Sequence, residues 1–188
     1  NDAISCYQKA IEINPRIVGA YNNMGLIYRN LNDLENAVKS YQSAIKIQPN
    51  HGGAFHNLAL AYKELGKFDE SIKSHQKAIE HESENLAHSY YLSELKKDTL
   101  NVDLKKKINK IFMNKNLTKT NSAFGNYLLA KYERKSKNYE KELKFLIEGH
   151  NAFFDSMKKK FQLGVKYCFD DILKIEEGAK VEKTKTDK

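Results

Sequence analysis

A chain of 188 residues with 40% hydrophobic residues, 11 Tyr and 9 Phe is long enough to bury a core and too apolar for wholesale disorder. Two prolines and no tryptophan amid abundant Lys, Glu, Leu, Ile and Ala indicate a mostly helical protein, and no apolar run approaches the ~20 residues that cross a bilayer. The formal net charge of +8 is lopsided: residues 1–85 hold 9 Lys and Arg against 10 Asp and Glu, and residues 86–188 hold 23 against 14. Only Arg16, Arg29 and Arg134 are arginines, so the excess is a solvated lysine surface without the guanidinium forks that read phosphates or bases, which argues against nucleic acid. The start NDAISCYQ has no charged-then-apolar leader, so the expected setting is soluble and cytoplasmic, with no membrane contact. Cys6 and Cys168, isolated from one another, are expected to be reduced and partly buried thiols.

In chain order, helices are predicted over 2–13, 16–30, 33–47, 52–65 and 68–82. Asn14-Pro15 and Gln48-Pro49 close helices because proline cannot supply the next backbone donor. Asn32-Asp33 and Gly66-Lys67 supply turns between helices. A period of 34 residues runs through these segments: Tyr21, Met24, Gly25 and Tyr28 correspond to Phe55, Leu58, Ala59 and Tyr62. Likewise Ala3, Tyr7, Ala10 and Pro15 recur as Ala37, Tyr41, Ala44 and Pro49, then as Ser71, His75, Ala78 and Ser83. Small residues at Gly25, Ala59, Ala37, Ala44 and Ala78 let paired helices approach closely, and the aromatic residues fill the grooves beside them.

This pattern resembles the tetratricopeptide repeat, a helix–turn–helix unit of this length. The resemblance implies an all-α, right-handed solenoid of helical hairpins. Its regular array covers 1–85, as a partial repeat over 1–17 and full repeats over 18–51 and 52–85. Asn1 falls where a second helix begins, so Ile4, Tyr7 and Ile11 are expected to leave an apolar face uncovered. The expectation is that the native protein extends further towards its N-terminus, that this end frays, or that it self-associates there.

From residue 86 the pattern weakens. Residues 86–96 form a first helix. The expected second helix gives way to a turn over 98–101 and to VDLKKKINKIF, where Leu104, Ile108, Ile111 and Phe112 make an apolar face with Lys105 to Lys107 pointing away. Residues 114–121 read as a polar loop. Residues 122–154 look like a degenerate repeat, with Leu129-Ala130 in the Leu-Gly role. It departs from the pattern at Glu142, where Ala is expected, at Asn126, which replaces a large anchor, and at Tyr132, one place early. A separate helix over about 152–176 carries Phe153, Phe154, Met157, Phe161, Val165, Cys168, Phe169, Ile172 and Leu173 as a cap on the array. The region 86–175 is thus a degenerate, capped extension, and 176–188 is a polar tail or linker.

In a stack of such hairpins the first helices are expected to line a concave groove. Helical spacing then turns Gly19, Asn22, Asn23, Leu26, Arg29 and Asn30 towards it from one repeat. Gly53, His56, Asn57, Leu60, Lys63 and Glu64 follow from the next. Asn23 and Asn57 stand one period apart, with Tyr91 at the third place. A carboxamide can both donate to and accept from one peptide unit, so such groups hold an extended backbone without demanding a sequence. The arrangement resembles the asparagine ladder of tetratricopeptide arrays that bind extended peptides. It differs from the carboxylate clamp of chaperone-binding members, which places Lys where Asn22 and His56 stand here. The implied partner is a protein or extended peptide.

His51, His56, His75, His81, His88 and His150 have no Cys or carboxylate companions at metal-ligand spacing, and His75 occupies an aromatic core position. Neither a phosphate-binding loop nor a nucleophile motif occurs, so no metal, cofactor or catalysis is expected in these residues. The order of regular repeats, an irregular pair, a degenerate repeat ending EKELKFLIEGHNAFF and a long helix is also similar to the N-terminal region of bacterial tetratricopeptide-repeat sulfotransferases. That resemblance implies an array positioning substrate for a catalytic domain beyond this chain.

Overall fold

The computed structural model describes residues 2–158, which are helical and contain no strand. The regular part comprises α1 (Asp2–Ile13), α2 (Val18–Asn30), α3 (Leu34–Ile47), α4 (Gly52–Glu64) and α5 (Phe68–His81). It continues through α6 (Leu86–Leu95), a 3₁₀ turn (Lys97–Thr99), α7 (Val102–Phe112), α8 (Lys119–Lys135) and α9 (139–158). No described helix is long and apolar enough to cross a membrane. The expected positions from 159 to 188, with Cys168, Phe161 and the polar tail among them, lie outside the described residues.

Side chains start several helices by accepting from amides that have no partner within the first turn: Asp33 from Asn36, His51 from Ala54, Asn101 from Leu104, and Thr118 from Asn121. Thr118 explains why the polar stretch ends sooner than expected, with Lys119–Asn121 already helical.

Each helix from α1 to α6 packs on its sequence neighbour, and α2 also touches α4. The alanines of the repeat behave as the spacing requires: Ala37, Ala44, Ala59 and Ala78 are fully buried. A Cβ added to Gly25 would lie 2.5 Å from the ring of Tyr41, itself fully buried. One period later the same position carries Ala59, and the ring opposite shrinks from Tyr41 to His75. The apolar face of α1 is not left open: Ile4, Tyr7 and Ile11 are half-buried, and α1 rests on α2. Cys6 lies on the other side of α1 and is exposed, against the expectation of partial burial.

The hairpin turn recurs three times with one geometry. The amides of Asp33, Lys67 and Asn138 donate to the carbonyls of Tyr28, Tyr62 and Glu133 at 2.8, 2.8 and 2.9 Å. The residue before each is left-handed: Asn32 at φ 60°, Gly66 at φ 73° and Lys137 at φ 58°. Lysine lacks both the freedom of glycine and the local hydrogen bonding of asparagine, so Lys137 carries strain. Lys137→Gly is expected to stabilise the chain by roughly 0.5–1 kcal/mol. A urea midpoint that stays put or falls would contradict this.

Beyond α5 the stack is rebuilt. Residues Leu86 of α6, Leu104, Ile108 and Ile111 of α7, and Phe124, Leu128, Leu129 and Tyr132 of α8 share one core. Here α7 supplies the burial that a second helix of the third hairpin would give. The Tyr132 hydroxyl donates to the carbonyl of Asn101 at 2.6 Å and pins the start of α7. The lysines of α7 do not all point away. Of Lys105 to Lys107 only Lys106 is exposed, while Lys105 reaches Glu133 at 3.4 Å and lies over the Tyr132 ring, and Lys107 is half-buried. Glu142, at an alanine position, is buried against Arg134 at 2.6 Å. No helix begins at 152, because α9 runs unbroken from 139 through 158. A Cβ on Gly149 would meet the ring of Tyr127 at 2.7 Å, so α9 passes close to α8 there. Phe153, Phe154 and Met157, expected as part of a cap, are exposed.

Candidate functional site

The first helices of the hairpins stand side by side as one wall. Contacts between α2 and α4, between α4 and α6, and between α6 and α8 join it. Asn57 Nδ2 donates to Asn22 Oδ1 at 3.0 Å, one repeat to the next. Arg29 Nε donates to both carboxylate oxygens of Glu64 at 3.0 and 3.1 Å. Asn23 Nδ2 donates to the Tyr7 hydroxyl of α1 at 3.2 Å. Further along, Lys131 of α8 pairs with Glu94 and donates to Ser93 Oγ at 3.0 Å, both on α6. Its ammonium sits 4.5 Å from the centre of the Tyr90 ring.

The wall brings together Asn22, Asn57, Arg29 and Glu64, with Leu60 and Lys63 half-buried beside them and Asn30 exposed. Leu26 is half-buried and packs in part on the core of Tyr41 and Leu58. Asn23 looks back to α1, and Asn57 meets Asn22 rather than standing free. Each amide nevertheless keeps unspent capacity: Asn57 retains its oxygen and one N–H, and Asn22 both of its own. The Arg29–Glu64 and Lys131–Glu94 pairs neutralise most of the charge in this stretch. They are partly exposed and worth at most about 1 kcal/mol each to stability, so their larger effect is to fix side chains in place.

His56 and Gly53 depart from the expected groove. The Gly53 amide donates to Glu82 Oε1 at 2.9 Å. His56 turns into the joint between hairpins, its ring centre 5.4 Å from His75, 4.9 Å from His88 and 5.1 Å from Tyr91. Glu82 closes this joint, accepting from His88 Nε2 at 3.0 Å and Asn85 Nδ2 at 3.2 Å. Burial alone would raise the Glu82 carboxyl; the donors from His88, Asn85 and Gly53 outweigh it and hold the group below its ordinary value. A carboxylate companion for histidine therefore exists, although the sequence separation hid it. Among the described residues no group of three or more His, Cys, Asp or Glu is placed to hold a metal ion.

The sequence reading missed the aromatic continuation of the wall. Tyr90 and Tyr127 lie 5.8 Å apart, and Phe124 lies 5.3 Å from Tyr90. Tyr90 and Tyr127, with Glu94, Lys131, Arg134 and Leu146, border a cavity of about 210 Å³. Tyr90 was legible as one period beyond His56. Tyr127 and Lys131 were not, because the step from Glu94 to Lys131 is 37 residues.

A family model described as the tetratricopeptide repeat matches residues 18–51 and 53–85, and a second, described as TPR repeat, matches residues 1–32. No curated protein matches the chain in sequence. Two crystal structures of MamA are similar to it. One, at 15% identity, covers 82% of this chain and 89% of its own with a TM-score of 0.54; the other, at 16%, covers 85% and 83% with 0.52. At such identity the likeness concerns the fold. The regular part of the chain is built of tetratricopeptide repeats, within an all-α solenoid.

Proposed function

We propose that the chain is a protein-interaction module whose wall of first helices binds an extended peptide. The observation that carries this reading is the Asn57–Asn22 bridge. It fixes two carboxamides at adjacent repeats while leaving donors and an acceptor for a third party, as backbone recognition needs. The paired charges beside it favour a partner recognised by its peptide units rather than by net charge. The tetratricopeptide repeats support a protein partner. In this reading the regular array over 1–85 supplies the amides, and α6 and α8 extend the surface with aromatic rings. The sulfotransferase-linked role gains nothing from the family matches, which end at residue 85. Self-association at the N-terminal end is not favoured, because α2 half-covers the face that was to drive it.

Selection of a random-peptide display library on the immobilised chain, followed by titration of the recovered peptides, tests the proposal. Leu60→Glu, and separately Asn22→Ala with Asn57→Ala, are expected to weaken binding by about tenfold or more, since two peptide hydrogen bonds are worth roughly 1–3 kcal/mol. Helicity should be unchanged. Peptides that bind both variants as tightly as the parent chain would remove the wall as the site.

A further inference from the structure

We propose that His56, His75 and His88 form a proton-triggered joint between the α4–α5 hairpin and α6, closed near neutral pH and opened by mild acid. The cluster collects one imidazole from each of three helices around Tyr91. His75 is fully buried and His88 nearly so. Four ring nitrogens have no hydrogen-bond partner although they are buried: Nδ1 of His56, both nitrogens of His75, and Nδ1 of His88. Of the three rings only His88 is held by a carboxylate, at Glu82. A packing role needs none of these nitrogens, and the corresponding place in the preceding repeat is filled by Tyr41. The rings are tilted to one another by 56° and 44° about His56, and among the described residues no group of three or more His, Cys, Asp or Glu is placed to hold a metal ion. What three neighbouring imidazoles gain on exposure is protons.

The surroundings set the direction. Burial pushes His56 down to about 3, helped by His88, His75 and Arg29, with Glu82 opposing. Burial pushes His75 down to about 4, helped by His88 and Lys63. Burial also lowers His88, against the pull of Glu82. The charged groups facing the cluster are therefore Arg29 from α2 and Lys63 from α4, both cationic, against the single carboxylate of Glu82 at the end of α5. From α6 comes Tyr91, backed by the apolar Phe124 of α8. α3 packs Ala37 and Tyr41 on the other side of α4, at Leu58 and Ala61.

A histidine whose closed-state value is depressed resists charging in place. Below the ordinary imidazole value of about 6.5 the opened joint binds protons that the closed joint does not, so closure is lost as pH falls. Each imidazole contributes up to about tenfold per pH unit to the opening equilibrium, and three together up to about a thousandfold. Opening would separate α6 from α4 beside Asn57, so the joint sits where it can disrupt the wall. The inference itself stands whether or not that wall binds peptide.

Amide hydrogen exchange of the whole chain between about pH 7 and about pH 5, with intrinsic exchange rates divided out, measures the opening. Protection in α4, α5 and α6 is expected to fall by more than about tenfold per pH unit, and protection in α2 and α3 by less. His88→Gln, which keeps a donor for Glu82, should flatten that dependence by up to about tenfold per unit. The same is expected of His75→Phe combined with Ala59→Gly, which copies the Gly25–Tyr41 packing; if it does not fold, His88→Gln still decides. The exposed His81→Gln should leave the dependence as it was. A parent chain with no steeper loss in α4–α6 than in α2–α3 overturns the proposal. So does a slope in His88→Gln as steep as the parent's, or one that His81→Gln flattens equally.

Discussion

Replacing Ile108 by Ala is expected to destabilise the chain by about 2–5 kcal/mol, among the largest losses for a single truncation. Ile108 is fully buried at the centre of α7, where it meets a core shared with Leu86, Leu128 and Leu129. Its removal leaves a cavity bounded by three helices, and α7 cannot settle to fill it because the Tyr132 hydroxyl ties its start at Asn101. Val102, on the same helix but 69% exposed, provides the contrast: Val102→Ala should change stability by no more than about 0.5 kcal/mol. Urea denaturation followed by circular dichroism reads both. Equal, small losses would mean that α7 is an appendage and that the stack ends at α6.

That contrast also marks how far the sequence could be read. The hairpins of residues 2–81 were legible because a fixed period places Gly25, Ala37, Ala44, Ala59 and Ala78 at close approaches, and each is buried. The apolar face of α7 was legible too, but not its partner, since a period cannot foresee where a helix that breaks it will dock. Lys137 shows a limit of another kind. No glycine or asparagine announces a left-handed turn there, and the position is set by the hairpin that α8 and α9 form around it. In the candidate site, Asn22 and Asn57 could be placed on one surface, while their mutual bond needed the actual stacking distance. The cluster of His56, His75, Glu82 and His88 was hidden altogether, because residues on three helices meet there at separations that match no ligand motif.

The pairing of Gly25 with Tyr41, and of Ala59 with His75 one period later, leads to the second large expected effect. Gly25→Ala would gain roughly 1 kcal/mol of helix propensity. It would also force a methyl to within 2.5 Å of a ring with no free space around it, and overpacking of this kind costs about 1–3 kcal/mol. The steric cost should win, leaving a net loss of up to about 2 kcal/mol. Tyr41→His alone empties part of a fully buried site and should cost about 1–3 kcal/mol. Made together, the two substitutions copy the second repeat. The added methyl then enters space the smaller ring has vacated, so the double variant should be more stable than the sum of the single losses predicts by about 1–2 kcal/mol. Denaturation of the four proteins in one buffer closes the cycle. Losses that simply add, within about 0.5 kcal/mol, would show that the glycine and the ring do not share space, and the close approach of α2 and α3 would need another cause.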